Sequence, residues 1–151
     1  MTKVLLSLHV LAALLAVGPV AVAASMFPPT LRRALAGPAD GEDTARTTLR
    51  TLHRICRVYA GIGVAVPLFG FATAGSLGVL GDGWLITSIV LTAAATAVLA
   101  LLILPAQDRA MDEEPGPVAP GRLAMLTGVF NLLWAMVTVL MIIRPGSTTG
   151  A

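Results

Sequence analysis

His9, His53 and Cys56 are the side chains in this chain best suited to hold a soft metal or a haem. His9 stands inside an apolar run, and its helical neighbours Ala12, Ala13, Ala16 and Ala23 are all small. Small residues let helix backbones approach closely, so the imidazole is expected to face other helices and not lipid. One chemistry open to it is ligation of haem b or copper, with Met136 and Met141 at the same depth as thioether donors. The other is a neutral imidazole hydrogen-bonded inside the bundle, for which Thr73, Ser76, Ser88, Thr92 and Thr138 lie at matching depth. His53 and Cys56 are three apart on one helix face, a spacing compatible with soft-metal binding, with Met26 or Met125 at the same level. Against that stands a simpler account, in which a helix starts at the headgroup level and Cys56 is packed within it.

The elements that must position these residues follow from composition. Of 151 residues, 56% are hydrophobic and 12% charged, where a soluble domain has about a quarter charged. A lone cysteine leaves no internal disulfide framework and no multi-cysteine zinc site. Four stretches, residues 4–26, 58–80, 84–104 and 123–143, lack Asp, Glu, Lys and Arg. Each has the ~20 residues that cross a ~30 Å hydrocarbon core. The sequence therefore predicts an all-α integral membrane four-helix bundle in a single domain, 1–151, built of two antiparallel helical hairpins. Residues 27–57 and 105–122, rich in Pro, Gly and charge, read as surface loops, and Gly81-Asp82-Gly83 reads as a tight helical turn.

The start of the chain admits a second reading. Lys3, the apolar run and Ala21-Val22-Ala23 resemble a secretory leader cut before Ala24. Basic residues decide between the two, because Lys and Arg in short loops stay in the cytoplasm. With four spans, Arg32, Arg33, Arg46, Arg50, Arg54, Arg57, Arg109 and Arg122 share one side, and Lys3 and Arg144 the other. Eight against two puts both termini outside, both long loops in the cytoplasm, and the first stretch in the protein as a retained helix. The same placement beside the spans argues against nucleic acid as a partner, despite a net charge of +2.

Arg46, Arg50, Arg54 and Arg57 recur at steps of four, four and three, opposite Leu49, Leu52, Cys56 and Tyr59. That is a basic amphipathic lead-in to the second span, suited to anionic lipid headgroups or to a docking partner. Inside the spans, Ser88, Thr92 and Thr96 step by four along the third, and Thr127, Asn131, Trp134 and Thr138 share a face of the fourth. These are expected to serve helix contacts, Asn131 most of all, since a carboxamide near the bilayer centre needs partners. No carboxylate lies in any span, which argues against an ion-coupled pump or exporter.

The SLHVLAALLAVGPVAVA opening and the NLLWAMVTVLMIIRPG ending resemble bacterial integral membrane proteins classed as domain of unknown function 2269, over nearly the whole chain. The early membrane histidine followed by small residues is more distantly similar to the copper-resistance D type membrane domain, whose further membrane histidines have no counterpart here. The first resemblance implies a four-helix inner-membrane protein. The second implies a role for His9 in metal or haem handling. Together these readings lead to a small multi-pass protein of the bacterial cytoplasmic membrane. It is expected to act without catalysis as an accessory, assembly or scaffold element, with a second copy or another membrane protein as partner. A haem- or copper-binding protein using His9 is the alternative, and an uncoupled small-molecule facilitator the third.

Overall fold

The computed structural model describes residues 1–36, 42–112 and 119–146. Its elements are α1 (Thr2–Ala36), α2 (Glu42–Ile62), α3 (Ala65–Leu77), α4 (Gly83–Ala97), a π-helical segment (Val98–Ile103), α5 (Leu104–Met111) and α6 (Pro120–Ile143). They form four helices long and apolar enough to cross a membrane: α1, α2 with α3, α4 through α5, and α6. The chain is an all-α four-helix bundle, with the composition of a multi-pass membrane protein.

α1 is the central helix. It packs on α2, α3 and α6, while α4 packs on α6. α3 and α4 follow one another across the Gly81–Gly83 turn, yet along their lengths each lies against a different helix. Near the turn, Ala74 and Val79 pack with Trp84 and Leu85, and at the far end α2 meets α5. At 35 residues, α1 is ~52 Å long at 1.5 Å per residue, well beyond the hydrocarbon core. Much of the expected first loop is therefore helix: α1 continues to Ala36 and α2 starts at Glu42. Phe27 and Leu31 of α1 close over Leu49, Leu52 and Cys56 of α2 and Leu123 of α6. The second expected loop likewise begins as helix, through Met111. The remaining parts of the two expected loops, 37–41 and 113–118, lie outside the described residues.

Prolines shape these helices, since each removes the N–H that would satisfy the carbonyl four residues earlier. At Pro28 and Pro67 another donor meets this loss, and ahead of Pro105 the ladder changes register. Pro28 leaves the Ala24 carbonyl without its helical donor, and the Thr127 hydroxyl of α6 donates to that oxygen over a long 3.4 Å. Pro67 orphans the Gly63 carbonyl, and the Val66 N–H reaches it at 3.0 Å in a tighter turn where α2 gives way to α3. Ahead of Pro105 the helix widens into the π-helical segment, where the Leu104 N–H bonds the Leu99 carbonyl. Neighbouring hydroxyls and local tightening or widening of this kind are what make proline tolerable in a membrane helix.

α3 stops at Leu77 because Gly78 adopts φ 71°, and the Val79 N–H turns back to the Ala74 carbonyl. Only glycine takes that left-handed conformation without steric cost. Across the same end of the bundle, the Trp84 indole donates to Asp82 at 3.0 Å and the Arg144 guanidinium lies 5.6 Å from the Trp84 ring centroid. The end of α6 is thereby held to the start of α4.

Thr127→Val removes the donor to the Ala24 carbonyl and should cost ~0.6–1.7 kcal/mol in a detergent unfolding titration. In a Pro28→Ala background the backbone supplies that donor, and the same substitution should cost clearly less.

Candidate functional site

His9 lies buried between α1 and α3, with Nδ1 2.9 Å from the Val66 carbonyl oxygen. A carbonyl only accepts, so Nδ1 carries the proton and donates. In the neutral ring this leaves Nε2 with its lone pair. The ring sits over Gly70: a Cβ there would stand 3.0 Å from Cε1 and 3.2 Å from Nδ1. Gly70 is thus the seat of the imidazole, and Val66, at the start of the helix re-formed around Pro67, is its anchor. Neither was legible as a partner, because the sequence drew attention to hydroxyls and not to a backbone oxygen. Met136 is 46% exposed on α6, and Met141 packs with Ala74, Val79, Trp84 and Leu85. The structure thus gives His9 a backbone anchor and leaves the two methionines in other surroundings.

The hydroxyls behave differently from a contact stripe. Thr73 donates to the Phe69 carbonyl, Ser76 to Thr73, Ser88 to Trp84, Thr92 to Ser88, Thr96 to Thr92 and Thr138 to Trp134, all at 2.7–2.9 Å and all within their own helix. This back-bonding satisfies each O–H without a neighbour, so none of the six hydroxyls serves as the partner of His9. On α6 Asn131, like Thr127, bonds across to α1. Its Nδ2 donates across to Ser25 Oγ at 3.1 Å, and Ser25 in turn donates to the Ala21 carbonyl. Asn131 Oδ1 and Trp134 Nε1 are buried without a hydrogen-bond partner. The Trp134 ring packs edge-on against Phe130, with centroids 6.3 Å apart.

A second polar cluster joins α2 to α5. His53 Nδ1 lies 3.0 Å from Gln107 Oε1. Its Nε2 lies 2.9 Å from Asp108 Oδ1, within ion-pair range but poorly aligned for a hydrogen bond. Gln107 Nε2 reaches Cys56 Sγ at 3.8 Å. Cys56 and Gln107 are fully buried, whereas the Asp108 side chain is 56% exposed. His53 and Cys56 therefore belong to one cluster, but Gln107 stands between them, a residue that the spacing of His53 and Cys56 does not point to. The available signal was a Gln-Asp pair two residues beyond the end of the third apolar run. Among the described residues no group of three or more His, Cys, Asp or Glu is placed to hold a metal ion. Met26 and Met125 are both exposed.

Arg46, Arg50, Arg54 and Arg57 are exposed along α2, while Leu49, Leu52 and Cys56 on the opposite face are buried against α1. The apolar face of this lead-in is covered by protein, and its arginines are directed outward. His9 and His53 are separate features, since Val66 and His53 lie thirteen residues apart along the second helix, ~20 Å at 1.5 Å per residue.

Gly70→Ala should destabilise the protein by ~1–3 kcal/mol through the clash with His9. In a His9→Ala background the clash is absent and the same change should be neutral or stabilising, by up to ~1 kcal/mol for glycine-to-alanine in a helix. Unfolding of the four variants in detergent checks this.

Compared with protein-family models, curated proteins and solved structures, the chain matches none.

Proposed function

We propose that this chain is a non-enzymatic accessory, assembly or scaffold protein of the bacterial cytoplasmic membrane, with both termini outside and its arginine-rich end in the cytoplasm. It acts through helix contacts with a second copy or another membrane protein, in keeping with the expectation from its first and last spans. The observation that carries this reading is the flank between α3 and α4. These helices do not cover one another along their lengths, and each leaves apolar side chains more than half exposed, Leu68 and Phe71 on α3 and Ile86 and Val90 on α4. In the apolar window of the second helix only 11% of residues are buried, against 28% for α1. A partner helix laid on this flank completes the ring of helices, while the outward arginines of α2 engage anionic headgroups.

A photo-crosslinking residue at Phe71 or Val90 should yield one defined adduct in cells, and the same residue at Leu14 on α1 should not. A chain that gives no adduct at any of these positions, and purifies in mild detergent as a monomer, does not work this way. For the orientation, Arg50→Cys in a Cys56→Ala chain should react with an impermeant maleimide in inverted vesicles and not in intact cells.

A second reading has one observation in its favour. Metal-bound histidines commonly donate their other ring N–H to a backbone carbonyl, which leaves the ligating nitrogen free, and His9 does so to Val66. A haem or copper ion would bind at Nε2. A Soret band or stoichiometric metal in the purified protein, lost in His9→Ala, supports it; a protein without either removes it.

A further inference from the structure

We propose that Asn131 and Trp134 form a binding site for one hydroxyl group, that of water or of a lipid-soluble alcohol. Both residues lie near the middle of α6, one of the four helices long and apolar enough to cross a membrane. Asn131 Oδ1 and Trp134 Nε1 are buried, and neither has a hydrogen-bond partner among the described residues. An unpaired polar atom is costly in hydrocarbon. Here one of the two is an acceptor and the other a donor.

Ser25 fixes which end of the carboxamide faces inward. A serine hydroxyl has a single proton, and Ser25 gives it to the Ala21 carbonyl at 2.6 Å. Toward Asn131 its oxygen can therefore only accept, which requires the amide nitrogen there, at 3.1 Å. Ser25 is exposed on α1. This bond thus stands at the rim of the α1–α6 contact and leaves Oδ1 on the buried side.

Trp134 supplies the other half. Its ring packs edge-on against Phe130 and joins the cluster of Val20, Ala95, Leu99 and Phe130, where α1, α4, the π-helical segment and α6 meet. Those side chains offer the indole N–H no acceptor. Asn131 and Trp134 stand three apart, so they are neighbours on one helix face, about 5–6 Å apart at Cβ. A single group that serves both must donate to Oδ1 and accept from Nε1. A carbonyl or an ether only accepts and an ammonium only donates, whereas a hydroxyl does both through one oxygen. An apolar lining with a donor and an acceptor is the usual character of a small-ligand site. The π-helical turn beside it is a frequent companion of such sites.

The chain has two tryptophans, which makes the test direct. The full-length protein is studied by nuclear magnetic resonance in lipid nanodiscs, with both indole N–H groups isotope-labelled. Trp134→Phe identifies the Trp134 signal by its loss. If water serves the site, this N–H shows a cross-peak to a long-lived water, and Asn131→Leu abolishes it. If a lipid-soluble alcohol serves it, added farnesol shifts the signal and farnesyl methyl ether, which lacks the O–H, does not; Asn131→Leu then abolishes the farnesol shift. An unmoved Trp84 signal, from an indole already bonded to Asp82, shows that the variant is folded. In the wild type, a Trp134 signal with neither a water cross-peak nor a farnesol response overturns the proposal whatever the variant does. So does an equal response to the methyl ether, or either effect surviving in Asn131→Leu.

Discussion

Inside hydrocarbon a backbone carbonyl without a donor has no water to turn to, and this protein places prolines within three of its four long helices. Much of its architecture follows from how those carbonyls are served. The α1–α6 contact includes a threonine hydroxyl reaching the oxygen that Pro28 left open. The second helix divides into α2 and α3 at the residues that compensate for Pro67. The third widens ahead of Pro105. The anchor of His9 is part of the same adjustment, since Val66 immediately precedes Pro67 and its carbonyl receives the imidazole. Helix breaks and side-chain sites thus arise together, at the points where the regular hydrogen-bond ladder is interrupted.

The polar side chains divide into two groups by reach. Serine and threonine hydroxyls are short, and most donate to the preceding turn of their own helix; Thr127, which donates to Ala24, and Ser25, which accepts from Asn131, also reach across the bundle. Histidine, glutamine and asparagine are long enough to cross, and they form the links from α1 to α3, from α2 to α5 and from α6 to α1. The bundle is accordingly joined by few polar contacts. Close approach supplies the remaining cohesion: Ala16, Ala23 and Ala24 on α1 are all buried, as expected where small residues set the helix separation. On the outer surface Leu14, Leu101, Leu132 and Ile142 remain exposed, as suits a surface meeting lipid.

The sequence by itself determined the helix count, the all-α class and the membrane-spanning character, because lipid imposes a simple rule that composition obeys: about twenty residues without charge per crossing. It also separated the two histidines and placed the arginines on one face of a helix, since 3.6-residue periodicity is a local property. It did not determine where the helices end. Hydropathy measures fitness for lipid, and helix continues through Phe27-Pro28-Pro29 and Gln107-Asp108 as long as neighbouring chain covers it. Nor did it determine partners. Which helix packs on which, the seat of His9 on Gly70 and the bridging position of Gln107 depend on residues more than fifty positions apart. Only tertiary packing brings those residues together, because a buried polar atom takes the acceptor or donor within reach and not the one that residue type alone suggests.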